Sequence, residues 1–265
     1  VNASLQRQST HSLEYLIAHS PAQLATLAIK DLLTAAAGFP PQVRNRVSEL
    51  MTRMLLQPGG LSTVIDVYLG GIGSIDDENA QANIYMAKTL AAVPSTLTAD
   101  KYYKALGQQI VELLHTATRA EGFKDRVMSL LVARMCFLHP VATNDYVLIP
   151  ALRPFVSAET VSVNEADGRR SETEISMMLD IARALLLSMP ALRPLVEALE
   201  RNGTFRSVFE VFACASRTKS HVLQGTEELL GYYLNNHETA ISLLVDWALH
   251  PMAELETAPG ESGGV

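Results

Sequence analysis

Pro150-Ala-Leu-Arg-Pro-Phe-Val156 returns forty residues later as Pro190-Ala-Leu-Arg-Pro-Leu-Val196, with one letter changed. A fixed period of that size, carried by helix-forming sequence, marks paired-helix repeats of the HEAT and armadillo type. In these, each helix pair buries its apolar face only by stacking on its neighbours. Outward from the heptapeptide, second helices starting near residues 58, 101, 146, 190 and 237 keep a comparable spacing. The chain is therefore expected to be all-α, an α-solenoid of HEAT/armadillo-like antiparallel helix pairs, with Leu152 and Leu192 in equivalent buried positions.

The individual helices follow from apolar periodicity and its interruptions. Pro40 and Pro41 precede a segment in which Val43, Val47, Leu50, Met54 and Leu55 recur at helical intervals. Pro58-Gly59-Gly60 breaks it, and Leu61, Val64, Ile65, Tyr68 and Leu69 form the return helix, ending at Gly70-Gly71. Asp76-Asp77 caps a helix through Ile84, Met86, Leu90 and Val93, which Pro94 closes. Thr98 supplies the N-cap oxygen of the next, through Leu106, Ile110, Leu113 and Leu114. Phe123, Val127, Leu130, Leu131, Met135 and Phe137 read as one inward stripe, stopped at His139-Pro140, and Tyr146 to Val156 as its return helix with two prolines. Helices over residues 172–189, 190–200, 204–216, 220–234 and 237–249 complete the array.

The expected organisation is N-terminal helices of the array in residues 1–39, helix pairs in 40–156, an exposed loop in 157–171, further pairs in 172–250 and a flexible tail in 251–265. At 265 residues the chain exceeds an ordinary single domain, a limit that a solenoid escapes by growing in one dimension. The apolar positions hold Leu, Ala, Val, Ile and Met, with Trp247 the sole tryptophan, as suits close-packed helices. No apolar run reaches the length of a spanning helix, so no transmembrane segment is expected in this region. A start without Met and a flexible end suggest an excerpt of a longer polypeptide.

A formal net charge of −7 argues against nucleic-acid binding, which needs clustered Lys and Arg to displace counterions. Cys136 and Cys214 sit in apolar helical stretches and read as buried, reduced thiols. Gly70-Gly-Ile-Gly-Ser74 lacks the Gly-Lys-Ser/Thr ending of a phosphate loop and reads as a helix end and turn. No two histidines fall at the i, i+4 spacing of a helical metal pair, and no nucleophile elbow is present. Glu172-Thr-Glu174 and Glu227-Glu228 read as first-turn charges. No catalytic residue, cofactor or metal ligand is therefore assigned, and the chain is read as a non-enzyme. Tyr102-Tyr103 and Tyr232-Tyr233 are the paired aromatics; helical geometry turns one ring of each pair inward and the other sideways. These four residues, Tyr102, Tyr103, Tyr232 and Tyr233, are the candidate partner surface.

Ala87-Lys-Thr-Leu-Ala-Ala-Val-Pro94, Leu97-Thr-Ala-Asp-Lys-Tyr-Tyr103, Gln109-Ile-Val-Glu-Leu-Leu-His115, Phe123-Lys-Asp-Arg-Val127, Tyr146-Val-Leu-Ile-Pro-Ala-Leu-Arg-Pro154 and Glu228-Leu-Leu-Gly-Tyr-Tyr-Leu234 together resemble the transport and Golgi organisation protein 6 family. The likeness spans about Pro40 to Leu249 and lies in spaced apolar, Tyr-Tyr and Pro positions. It implies a large HEAT-repeat protein linked to protein secretion and Golgi organisation, related to a fungal factor for assembly and nuclear import of RNA polymerase II. It brings no catalytic motif with it. The implied role is a scaffold or adaptor for secretory-pathway or RNA polymerase II assembly proteins. A membrane-associated trafficking component, with this segment as a spacer, is the other reading. The implied location is cytoplasmic, peripheral at most to Golgi or endoplasmic-reticulum membranes, although the full-length protein is sometimes placed on membranes.

Overall fold

A computed structural model describes residues 12, 15, 19–35, 40–69, 77–116, 122–153, 172–187 and 193–250; within these, every regular element is helical and no strand occurs. In chain order the helices are α1 Ala22–Ala35, α2 Pro41–Leu55, α3 Gly60–Leu69, α4 Asp77–Ala91, α5 Ala99–Thr116, α6 Gly122–Leu138 and α7 Pro140–Thr143. A π-helical turn, Asn144–Leu148, joins α7 to α8 Ile149–Leu152, followed by α9 Glu172–Leu187, α10 Arg193–Arg201, α11 Thr204–Thr218, α12 Leu223–Asn236 and α13 Ala240–Leu249. The all-α reading of the sequence holds. The loop expected at 157–171, the tail at 251–265, the glycine turn at 70–74 and Leu192 lie outside the described residues.

The chain divides into two compact units, Val1–Ala82 with Pro94–Gln109, and Asn83–Val93 with Ile110–Val265. In the first, α1 packs on α2 and α3. Ala25 and Ile29 meet Val47, Leu50 and Met54, with Leu32, Leu33 and Met51 at the margin. Each fully buried aliphatic of this kind contributes roughly 1.5 to 3 kcal/mol by leaving water. The α2–α3 corner is tight. Gly59 has φ +73°, and a Cβ on Gly60 would collide with the carbonyl oxygen of Met54, so the two glycines are steric requirements of the turn. Across this corner lies Gln109 of α5, 6% exposed. Its Nε2 donates to the Leu55 carbonyl and its Oε1 accepts from the Leu61 N–H, both at 2.9 Å. One side chain thus satisfies an orphan carbonyl at the end of α2 and an orphan amide at the start of α3. Thr98 caps α5 as expected, accepting from the Lys101 N–H at 3.4 Å.

In the second unit α6 packs on α7, α9 and α10, and α9 packs on α8 and α12. Two adjacent rows of α6, Val127-Leu131-Met135 and Met128-Val132-Cys136, are buried. Phe137 is not part of that stripe. It is 63% exposed at the last turn, where the Arg134 guanidinium lies 5.1 Å from its ring centroid. Val43 of α2, also expected inside, is 40% exposed.

The return helix after α6 begins at Pro140 rather than Tyr146. Pro140 occupies the first turn, where its missing N–H costs nothing. The wider π turn then brings the chain to Pro150, which would otherwise leave an α-helical bond unmade. Of the first heptapeptide only Pro150 to Arg153 are described, with Arg153 following the end of α8, and of the second only Arg193 to Val196, within α10. Leu152 is fully buried, as are Leu195 and Val196 of the second copy. Beyond α9 the short helix α10 meets both α11 and α12, and these two meet each other.

Candidate functional site

The four tyrosines expected at a partner surface are placed mainly inside. Tyr102 and Tyr103 are 1% and 0% exposed, their ring centroids 5.7 Å apart and tilted. Helix α5 is covered around this turn, so both rings are enclosed where one had been expected to face sideways. Burial, then the neighbouring Tyr103, lifts the Tyr102 hydroxyl above the ordinary tyrosine range. Tyr233 is fully buried as well, stacked on Phe205 at 4.1 Å and parallel to Trp247 at 6.1 Å. Tyr232 is half-buried. Three of the four rings therefore hold helices together, and they do not form a solvent-facing set.

Tyr233 belongs to a polar cluster that ties α10 to the α12–α13 turn. Its hydroxyl donates to Glu200 Oε2 at 3.2 Å, and His237 Nε2 meets the same oxygen at 2.6 Å. The imidazole stacks on the Tyr233 ring at 5.2 Å and meets Thr239 Oγ1 through Nδ1 at 3.1 Å. Burial first, then the Glu200 charge and hydrogen bond, push the Tyr233 hydroxyl upward. The remaining faces of the cluster are aromatic. It has the character of a structural clip.

An open groove of about 360 Å³ lies between α9 and the start of α12, lined by Ser176, Leu179, Asp180, Arg183, His221, Val222, Gln224 and Gly225. Glu228 Oε2 meets Arg183 at 2.6 Å and its other oxygen accepts from Gln224 at 3.0 Å, so the carboxylate spans α9 and α12. Both partners of the Arg183–Glu228 pair are about one third exposed, which limits it to roughly 1 kcal/mol. Glu228 is in the second turn of α12, so the expected first-turn role for Glu227-Glu228 is replaced by this cross-helix contact. Ser176, His221 and Asp180 are the residue types of a charge-relay set. Yet Asp180 is 39% exposed and lies 3.6 Å from Arg183, unlike the buried, orienting carboxylate that such chemistry uses. Sequence reading passed over the groove; its one signal was Arg183 within an otherwise apolar turn of α9.

Burial pushes the Cys136 thiol up to about 12, against the pull of Arg201, and leaves it unreactive. Cys214 is half-buried rather than buried, and both thiols are free. Among the described residues no three His, Cys, Asp or Glu side chains converge to hold a metal ion. No described helix is long and apolar enough to cross a membrane. The family described as Transport and Golgi organization protein 6 homolog, ARM-like repeat, matches residues 55–265. No solved structure matches the chain.

Proposed function

Because the chain belongs to the Transport and Golgi organization protein 6 homolog family of ARM-like repeat proteins, we propose that it is a non-enzymatic scaffold, a helical-repeat adaptor that binds other proteins in secretion and Golgi organisation. The observation that carries this reading is the way its polar chemistry is used. Gln109, Glu200, Arg183 and Glu228 are engaged in joining one helix to another. What remains for function is helical surface, and repeat proteins use such surfaces to bind partners. Its partners are sought first among secretory-pathway proteins, with the RNA polymerase II assembly proteins suggested by the sequence resemblance as a second set.

Affinity purification with mass spectrometry, comparing the full-length protein with a version lacking residues 40–249, tests the proposal. Loss of a defined group of partners on deletion is expected. If every partner stays bound while secretion is still disturbed, the region is a spacer and the adaptor reading is wrong.

A further inference from the structure

Helix α13, Ala240-Ile-Ser-Leu-Leu-Val-Asp-Trp-Ala-Leu249, has a single charged residue in ten. A helix apolar all round belongs in an interior, covered on every side. Among the described helices α13 packs mainly on α11 and α12. Its inner side is closed by Ala240 and by Trp247, whose ring meets Phe209 and Tyr233. Its outer side presents Ile241, Val245 and Leu249, at 70%, 54% and 70% exposure and at i, i+4, i+8. Isolated exposed aliphatics are ordinary on protein surfaces, whereas a continuous stripe marks a place of contact.

Residues 220–265 contain seven Asp and Glu and no Lys or Arg, which accounts for the whole net charge of −7. Glu238 and Asp246 flank the stripe and are exposed. The imidazole of His250 lies 3.2 Å from Asp246. At the margins, Arg193 is engaged with Glu197 at 2.8 Å and also feels the Glu238 charge, and Arg206 is engaged with Glu210 at 3.6 Å and the His250 carbonyl at 3.0 Å.

We propose that the outer face of α13 docks a basic amphipathic helix of a partner protein. The partner's aliphatic stripe lies over Ile241, Val245 and Leu249, and its Lys or Arg side chains face Glu238 and Asp246. The inference rests on the protein-binding reading above and assigns it a surface and a chemistry. A second copy fits poorly. Pairing α13 with itself sets acid against acid. An anionic bilayer is disfavoured by the same charge.

The test uses the full 265-residue chain and a fluorescent synthetic helix of about five turns, with Leu at i, i+3, i+4 and i+7 and Lys on the flanks. A charge-reversed twin carries Glu in place of Lys. Saturable binding of the Lys helix is expected, weakened by added salt, with no binding of the Glu twin. The double variant Ile241→Ser, Val245→Ser should bind about tenfold more weakly or worse. Unchanged circular dichroism and Trp247 fluorescence would show that this variant keeps its fold. Equal affinity for the two helices, unchanged affinity in the double variant, or no binding of the Lys helix would overturn the proposal. So would self-association of the chain, or its retention on lipid vesicles, that the double variant abolishes. If deletion of residues 40–249 strips partners in the purification above but the double variant keeps them all, the scaffold reading stands and this surface falls.

Discussion

Gln109 shows how one residue can decide a corner. A glutamine within a helix reads as a surface residue, and nothing in its neighbourhood announces that it bridges Leu55 and Leu61 from fifty-four and forty-eight positions away. Replacing it with Ala strands a buried carbonyl and a buried amide, at about 1 to 3 kcal/mol each, so chemical denaturation should show a loss of roughly 2 to 4 kcal/mol. Gln109→Glu keeps the shape but sets a carboxylate oxygen against the Leu55 carbonyl, which raises that carboxyl's pKa on folding. Its deficit relative to Gln109 should therefore shrink as pH falls towards about 4, the ordinary glutamate range, and be largest at neutral pH. The opposite limb belongs to the buried Cys136 and Tyr102, both raised in the folded state. Such groups contribute fully below their unfolded values and lose that contribution as pH rises. Stability should begin to fall above about pH 8.5 to 9, by roughly 1.4 kcal/mol per pH unit per group. Melting temperatures across pH 8 to 11 check this, and Cys136→Ala should flatten the first part of the decline; an equal slope in that variant would contradict it.

At the level of elements, strong periodicity was read correctly where a helix has one wide buried face and a steric stop. Pro40-Pro41 and Pro58-Gly-Gly bracket α2, and Asn202-Gly203 separates α10 from α11, with Gly203 at φ +82°. Periodicity failed where burial and helix phase diverge. Phe137 is in the same turn as the buried Met135 and Cys136 but in the phase of the half-buried Leu130 and Arg134, and Tyr146 lies inside a helical stretch that begins at Pro140. The Tyr-Tyr pairs misled for a related reason: in a repeat array a helix is flanked on several sides, so adjacent rings can both be enclosed. The turn after α11 carries its own prediction. Lys219 sits at φ +57°, in the position glycine usually takes, and the following Ser220 N–H closes back on the Ala215 carbonyl at 3.2 Å. Lys219→Gly should stabilise the protein by about 1 kcal/mol, seen as a raised melting temperature, since a left-handed conformation costs a side-chain-bearing residue that much. A lowered melting temperature would show that the lysine side chain contributes more than its strain removes.

For the whole molecule, the repeated heptapeptide points to the right class, with Pro150 to Arg153 of one copy and Arg193 to Val196 of the other among the described residues. The class is legible in that sequence, since helix period and breaker residues are local signals. The surfaces are not, since exposure of Ile241, Val245 and Leu249 depends on which helices cover α13. These helices are proposed to bind proteins directly through their surface. Hydrogen exchange on the purified 265-residue chain, with and without a purified partner recovered from the full-length protein, tests this. Saturable binding is expected, with protection spread over neighbouring helices and no change confined to the α9–α12 groove. A partner that leaves exchange unchanged throughout the chain, while still binding the full-length protein, would contradict it.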